Sequence, residues 1–91
     1  MMLSGATALV TGGSGAVGAA IVRVLAREGC SVAYTYHHGA QRAETLRQEL
    51  AAGGARVRAW PLDVLDKQAI AQLVPAVEQE FGPVNVLVNN A

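Results

Sequence analysis

Four short apolar runs, separated by stretches of helix length, restrict what this chain can become. Residues 6–11 (ATALVT), 31–36 (SVAYTY), 56–62 (RVRAWPL) and 84–90 (VNVLVNN) each have strand length and are rich in β-branched or aromatic residues. After the first run, Val17, Ile21, Val24, Leu25 and Glu28 recur at helical spacing until Gly29 stops the pattern. Residues 40–52 (AQRAETLRQELAA) set Ala43, Leu46 and Leu50 on one face, charges on the other, and end at Gly53–Gly54. Asp66 can cap a third helix with an Ile70, Leu73, Val74 and Val77 stripe, closed by Gly82–Pro83. Pro75 inside it deletes a backbone donor and predicts a kink or a division of the helix.

Strands alternating with helices on short connections imply parallel strands and right-handed crossovers. The expected fold is α/β, a partial Rossmann-type doubly wound parallel sheet of four strands and three helices, with strand order 3-2-1-4. Its order reverses between strands one and four, beside the glycine cluster that follows strand one. Ligands bind at such switch points.

The 91 residues make one small domain at most. Hydrophobic residues are 52% and charged ones 15%, which excludes disorder and points to segments buried on both faces. Net charge is zero without any run of Lys or Arg, so neither a nucleic-acid partner nor a membrane surface is expected. Cys30, the single cysteine, cannot form an internal disulfide and reads as a small buried residue between helix and strand. No metal site is expected from His37 and His38, which have no acid near them in sequence. The opening MMLSGATALV shows neither a basic leader nor a membrane-length apolar run, so a cytoplasmic location is expected.

Residues 11–18 (TGGSGAVG) carry four glycines in seven positions and can be counted three ways. A glycine turn between strand and helix allows positive φ, removes Cβ atoms from the path of a diphosphate and offers it the N–H groups of the helix. Gly13, Gly15 and Gly18 spell GxGxxG, which wants an acid about twenty residues later for ribose hydroxyls. The corresponding stretch, VAYTYHHGA, has neither Asp nor Glu, and the same lack argues against an S-adenosylmethionine site. The remaining counts are TGxxGxxG, through Gly12, Gly15 and Gly18, and TGxxxGxG, with Ala16 in place of a glycine.

Those counts, with LDV (62–64) after strand three and NNA (89–91) after strand four, resemble the short-chain dehydrogenase/reductase family from about Thr7 onward. The segment EFGPVNVLVNNA adds a likeness to its 3-oxoacyl-acyl carrier protein reductases. Gly15 favours the family's extended branch, whereas LDV and NNA favour its single-domain branch and outweigh one glycine. Ala16 then departs from the single-domain pattern: its methyl is expected to crowd the diphosphate and disfavour positive φ, with Gly15 absorbing the turn.

The resemblance implies that Gly12, Ser14, Gly15, Ala16, Val17 and Gly18 wrap a cofactor diphosphate and the nearby ribose, with the Ser14 hydroxyl donating to phosphate. Thr11 is expected to tie the turn towards strand four, the alternative being an ordinary strand residue. Asp63 is similar to the family's adenine-binding aspartate, with Val64 beside the ring; the alternative is a turn cap. Asn90 and Ala91 resemble the backbone that passes the adenosine ribose, and Asn89 an internal brace. The lack of an acid at the end of strand two favours NADP(H) and leaves NAD(H) open. Tyr36, His37, His38 and Arg42 could supply donors there, His37 foremost. Family reductases that use NADP often carry Arg or Lys in the turn, where Gly15 stands.

Family chemistry implies a tyrosine acid, a lysine four residues on and a serine, with hydride crossing from the nicotinamide. No Tyr-x-x-x-Lys occurs: the tyrosines are Tyr34 and Tyr36, and the one lysine is Lys67. The expectation is therefore a truncated, by itself inactive, cofactor-binding segment of an oxidoreductase acting on a carbonyl or 3-oxoacyl substrate. A complete non-catalytic dinucleotide-binding module and a structural domain with a remnant turn are the alternatives. An open strand-four edge, with Val84, Val86 and Val88 on one face, predicts self-association of the segment; a homo-oligomer is expected of the whole protein.

Overall fold

The computed structural model describes residues 3–90. Its elements run β1 (Thr7–Thr11), α1 (Ala16–Arg27), β2 (Ser31–Tyr36), α2 (Ala40–Ala52), β3 (Val57–Pro61), α3 (Lys67–Phe81) and β4 (Val86–Asn89). All strand pairs are parallel and the order is β3-β2-β1-β4, the expected doubly wound arrangement. Leu9 in β1 stands between Ala33 of β2 and Leu87 of β4, so the sheet's central strand is buried on both sides.

Alternation along β1 and β2 sends side chains to two cores. Ala8, Val10, Val32 and Tyr34 pack with Val22 and Leu25 of α1 and with Ala43 and Leu46 of α2. On the opposite face Leu9, Ala33 and Leu62 pack with Leu73 and Val77 of α3. Tyr34 is fully buried, and its hydroxyl donates to the Ala43 carbonyl at 2.6 Å, pinning α2 to the sheet. Burial pushes that phenol up to about 12. Cys30 is buried, as expected of a small residue between α1 and β2.

Three sequence expectations are corrected. The sheet-facing stripe of α1 is Gly18, Val22 and Leu25, while Val17 is 65% and Val24 51% exposed. Two apolar stripes one residue apart compete on that helix, and close approach to the turn selects the one containing glycine. Pro75 does not divide α3, which runs unbroken through it. Pro75 and Ala71, whose carbonyl loses its partner, lie on the exposed face, where water can replace the bond. Val84 precedes β4 and packs towards α3, whereas Val86 and Val88 pack towards α1 and α2, so these three valines do not share a face.

Asp66 caps α3 as the sequence implies, its carboxylate accepting from the N–H groups of Gln68 and Ala69 at 3.1 Å each. Among the described residues no helix is long and apolar enough to cross a membrane.

Candidate functional site

The glycine turn sits where β1 lies between β2 and β4, and both neighbours hold it. The Thr11 hydroxyl donates to Asn89 Oδ1 at 3.0 Å and accepts from the Asn90 N–H at 3.1 Å, the expected tie to strand four. The Asn90 side-chain amide donates to the Gly12 carbonyl at 3.3 Å. From β2, Thr35 Oγ1 accepts the Gly12 N–H at 3.1 Å and the Thr35 carbonyl accepts the Gly13 N–H at 2.9 Å. Thr35 escaped the sequence reading. The available signal was a hydroxyl at a fully buried strand position, which requires a hydrogen-bond partner.

Geometry separates the glycines. Gly12 has φ +71°, where an L side chain is strained. A Cβ on Gly13 would stand 2.6 Å from Tyr34 Cβ. One on Gly18 would run into the Gly12 carbonyl oxygen, with Gly13 Cα at 2.8 Å and the Asn90 amide at 2.9 Å. Gly15 has φ −76° and open space around it. The positions that demand glycine are thus 12, 13 and 18, which fits the count anchored on Thr11, Gly12 and Gly18. The expectation for Ala16 is corrected: it is the first residue of α1, needs no positive φ, and Gly15 absorbs no left-handed turn.

Gly15 is the N-cap of α1, and no side-chain cap bond or first-turn acid is present among the described residues. The N–H groups of Ala16, Val17 and Gly18 therefore keep the first-turn capacity for an anion, reinforced by the helix dipole. Ser14 lies on the rim, but its hydroxyl donates to the His38 carbonyl at 3.3 Å and is not free to donate to a phosphate in this arrangement.

Along the sheet's carboxyl edge, His37 Nε2 stands 3.9 Å from Asp63 Oδ2, and the His37 and His38 rings lie 4.3 Å apart. The absence of an acid near the histidines is corrected: parallel pairing of β2 with β3 brings Asp63 there from 26 residues away. Among the described residues no three His, Cys, Asp or Glu side chains gather as a metal site. Asp63 Oδ1 accepts from the Leu65 N–H at 2.9 Å, so it does cap a turn, while Oδ2 stands on the His37 side of a half-exposed carboxylate. Val64 is 45% exposed beside it. Tyr36 packs against the core on the α1 and α2 side. Ala91 lies outside the described residues.

This edge can take an extended ligand with an anionic centre: the turn and α1 meet the anion, and Asp63 with Val64 offers an acceptor and an apolar flank to a ring bearing an amine. Neither tyrosine has a lysine beside it in a Tyr-x-x-x-Lys pair, and the Tyr34 hydroxyl is committed to Ala43.

Comparison with known proteins agrees with this geometry. A family model described as short chain dehydrogenase matches residues 6–91. The chain is 44% identical over 89 residues to glycine betaine reductase ATRR of Emericella nidulans, covering 94% of this chain and 7% of that protein. It superposes on a blue fluorescent protein from a metagenomic library, solved with NADPH, with TM-score 0.95 and 46% identity, covering 100% of this chain and 38% of that one. A short chain dehydrogenase from Burkholderia cenocepacia, solved with NADP, gives TM-score 0.93 and 44% identity over 98% of this chain and 36% of that one. The chain spans well under half the length of these proteins.

Proposed function

The chain belongs to the short-chain dehydrogenase family, and from that membership we propose that residues 1–91 are the dinucleotide-binding part of a Rossmann domain in an NADP(H)-dependent oxidoreductase. The whole protein would interconvert a carbonyl compound and an alcohol, with a 3-oxoacyl compound the favoured substrate class.

The observation that carries this reading is the turn itself. Gly12 and Gly18 are held to glycine by backbone conformation and close packing, beside an uncapped helix start. A turn kept so tight and so bare suits a diphosphate better than a mere strand-to-helix connection. In this reading the amides of the turn and of Ala16 to Gly18 bind the diphosphate, while Gly12 and Gly15 put no Cβ in its path. Ser14 fixes the rim through His38. Asp63 Oδ2 accepts from the exocyclic amine of adenine, Val64 packs on the ring, and the Asn90–Ala91 backbone borders the ribose. Tyr36, His37 and His38 close the ribose side.

NADP(H) is favoured over NAD(H) because the end of β2 has no acid to repel a 2′-phosphate, and relatives were solved with NADPH and NADP. When bound, the nicotinamide supplies the hydride. Within these 91 residues no group is assigned to proton transfer, so the serine and the tyrosine–lysine pair of the family would have to come from the remainder of a longer protein. The test is NADPH consumption by the intact protein with a 3-oxoacyl thioester and with a simple ketone. Oxidation dependent on either substrate is expected; absence of turnover with both NADPH and NADH would reject the enzymatic part of the reading.

A further inference from the structure

The two carboxylate oxygens of Asp63 have different neighbours. Oδ1 accepts from the Leu65 N–H at 2.9 Å, which leaves Oδ2 to receive any other donor. Oδ2 stands 3.9 Å from His37 Nε2, and the two side chains are 45% and 56% exposed. That separation is too long for a hydrogen bond, and both side chains border solvent into which they can turn to close it. Among the described residues His37 is the one cationic partner of Asp63; no lysine or arginine pairs with it. The other charged and titratable groups nearby are already placed. Arg42, from α2, rests its guanidinium against Gly39. The Asp66 carboxylate is held by the N–H groups of Gln68 and Ala69. Tyr36 packs towards the α1 and α2 core. The His38 ring lies 4.3 Å from that of His37, and it has no carboxylate partner among the described residues.

We infer that His37 and Asp63 form a proton-operated gate on the adenine position: protonated His37 takes Asp63 Oδ2 for itself, and neutral His37 leaves that oxygen to the adenine amine. This deepens, and rests on, the dinucleotide reading above. Histidine changes charge between about pH 5 and 8. In the protonated ring both nitrogens are donors, and a charge-assisted bond to a carboxylate is stronger than one from a neutral amine. Imidazolium and adenine therefore compete for a single oxygen, because the Leu65 N–H holds the other. The sign follows from that competition. The free protein favours the protonated ring, the nucleotide-bound protein the neutral one, so binding releases a proton and affinity rises with pH across the histidine range. The pair is exposed, which keeps the effect modest. It also lets the ring swing without disturbing the sheet.

The test is calorimetric titration of the intact protein with NAD+, which has no 2′-phosphate for the imidazolium to meet, at about pH 6 and about pH 8. The proteins compared are the wild type, His37→Gln, His38→Gln and Asp63→Asn. The wild type should bind about threefold more weakly at the lower pH, and titrations in two buffers of different ionisation heat should show proton release. His37→Gln keeps a donor that carries no charge at either pH, so its affinity should be level across the range. Asp63→Asn should be level too, since a carboxamide can still accept from adenine but does not attract the imidazolium. His38→Gln should keep the wild-type dependence. A wild type whose NAD+ affinity does not change with pH, or the same dependence in His37→Gln, overturns the gate and leaves the dinucleotide reading standing. So does binding of NADP+ without binding of NAD+ at about pH 8, because an open gate admits adenine whatever the ribose carries. Failure of the wild type to bind either nucleotide at both pH values overturns the gate and the dinucleotide reading together.

Discussion

Thr35 Oγ1 accepts the Gly12 N–H at 3.1 Å, so a hydroxyl buried in β2 fixes the one left-handed residue of the glycine turn. Thr35 is 2% exposed, while Gly12 on the donor side is half-buried. Thr35→Val keeps the shape and removes the acceptor. A fully buried N–H left unsatisfied costs about 1–3 kcal/mol; for the half-buried Gly12, chemical denaturation of the variant is expected to register a loss at the low end, about 1 kcal/mol.

Gly18 and Gly15 are three residues apart and should respond unequally to alanine. At Gly18 the methyl meets the Gly12 carbonyl and the Asn90 amide, and a loss of about 1–3 kcal/mol is expected from overpacking. At Gly15 the backbone suits any residue and the space is open. A less flexible unfolded chain gains about 0.4–1 kcal/mol there, offset by a poorer N-cap, so the net change should stay within about 0.5 kcal/mol. Thermal unfolding of the two variants side by side checks the contrast.

The Tyr34 phenol is raised from an ordinary 10 to about 12, chiefly by burial. The native state therefore holds the proton more tightly than the unfolded chain does. The resulting stabilisation is complete below pH 10 and is lost as pH rises towards 12. Denaturation midpoints measured across that window should fall for the wild type. Tyr34→Phe should remove this contribution to the slope, while starting lower because the bond to the Ala43 carbonyl is gone.

Much of the fold was legible because it rests on local rules. The β2 and α2 bounds follow directly from SVAYTY and AQRAETLRQELAA, and Asp66 announces its own cap. The phase of α1 was not legible, since Val17, Ile21 and Val24 make as good an apolar stripe as Gly18, Val22 and Leu25 until the sheet is placed against one of them. The candidate site was legible in its backbone, through glycines and strand ends. Its long-range ties were not: Thr35 to Gly12, His37 to Asp63 and Asn90 to Gly12 join residues that only the strand order brings together.

An apolar groove of about 380 Å³ lies between α3 and β4, bordered by Leu9, Leu62, Leu73 and Leu87. Leu87 is 65% exposed. Residues 1–91 expressed alone should bury this surface by self-association, seen as concentration-dependent species in sedimentation velocity. A Leu87→Lys variant should shift that distribution towards monomer, and a compact monomer at all concentrations would contradict the expectation.

Calorimetric titration of the intact protein with NADPH, beside the same titration of Gly18→Ala, addresses the role of the glycine turn most directly. Saturable heat with one nucleotide per chain is expected for the wild type, with a marked loss of affinity in the variant. No heat with either NADPH or NADH, or equal affinity in the two proteins, would contradict a diphosphate held by this turn.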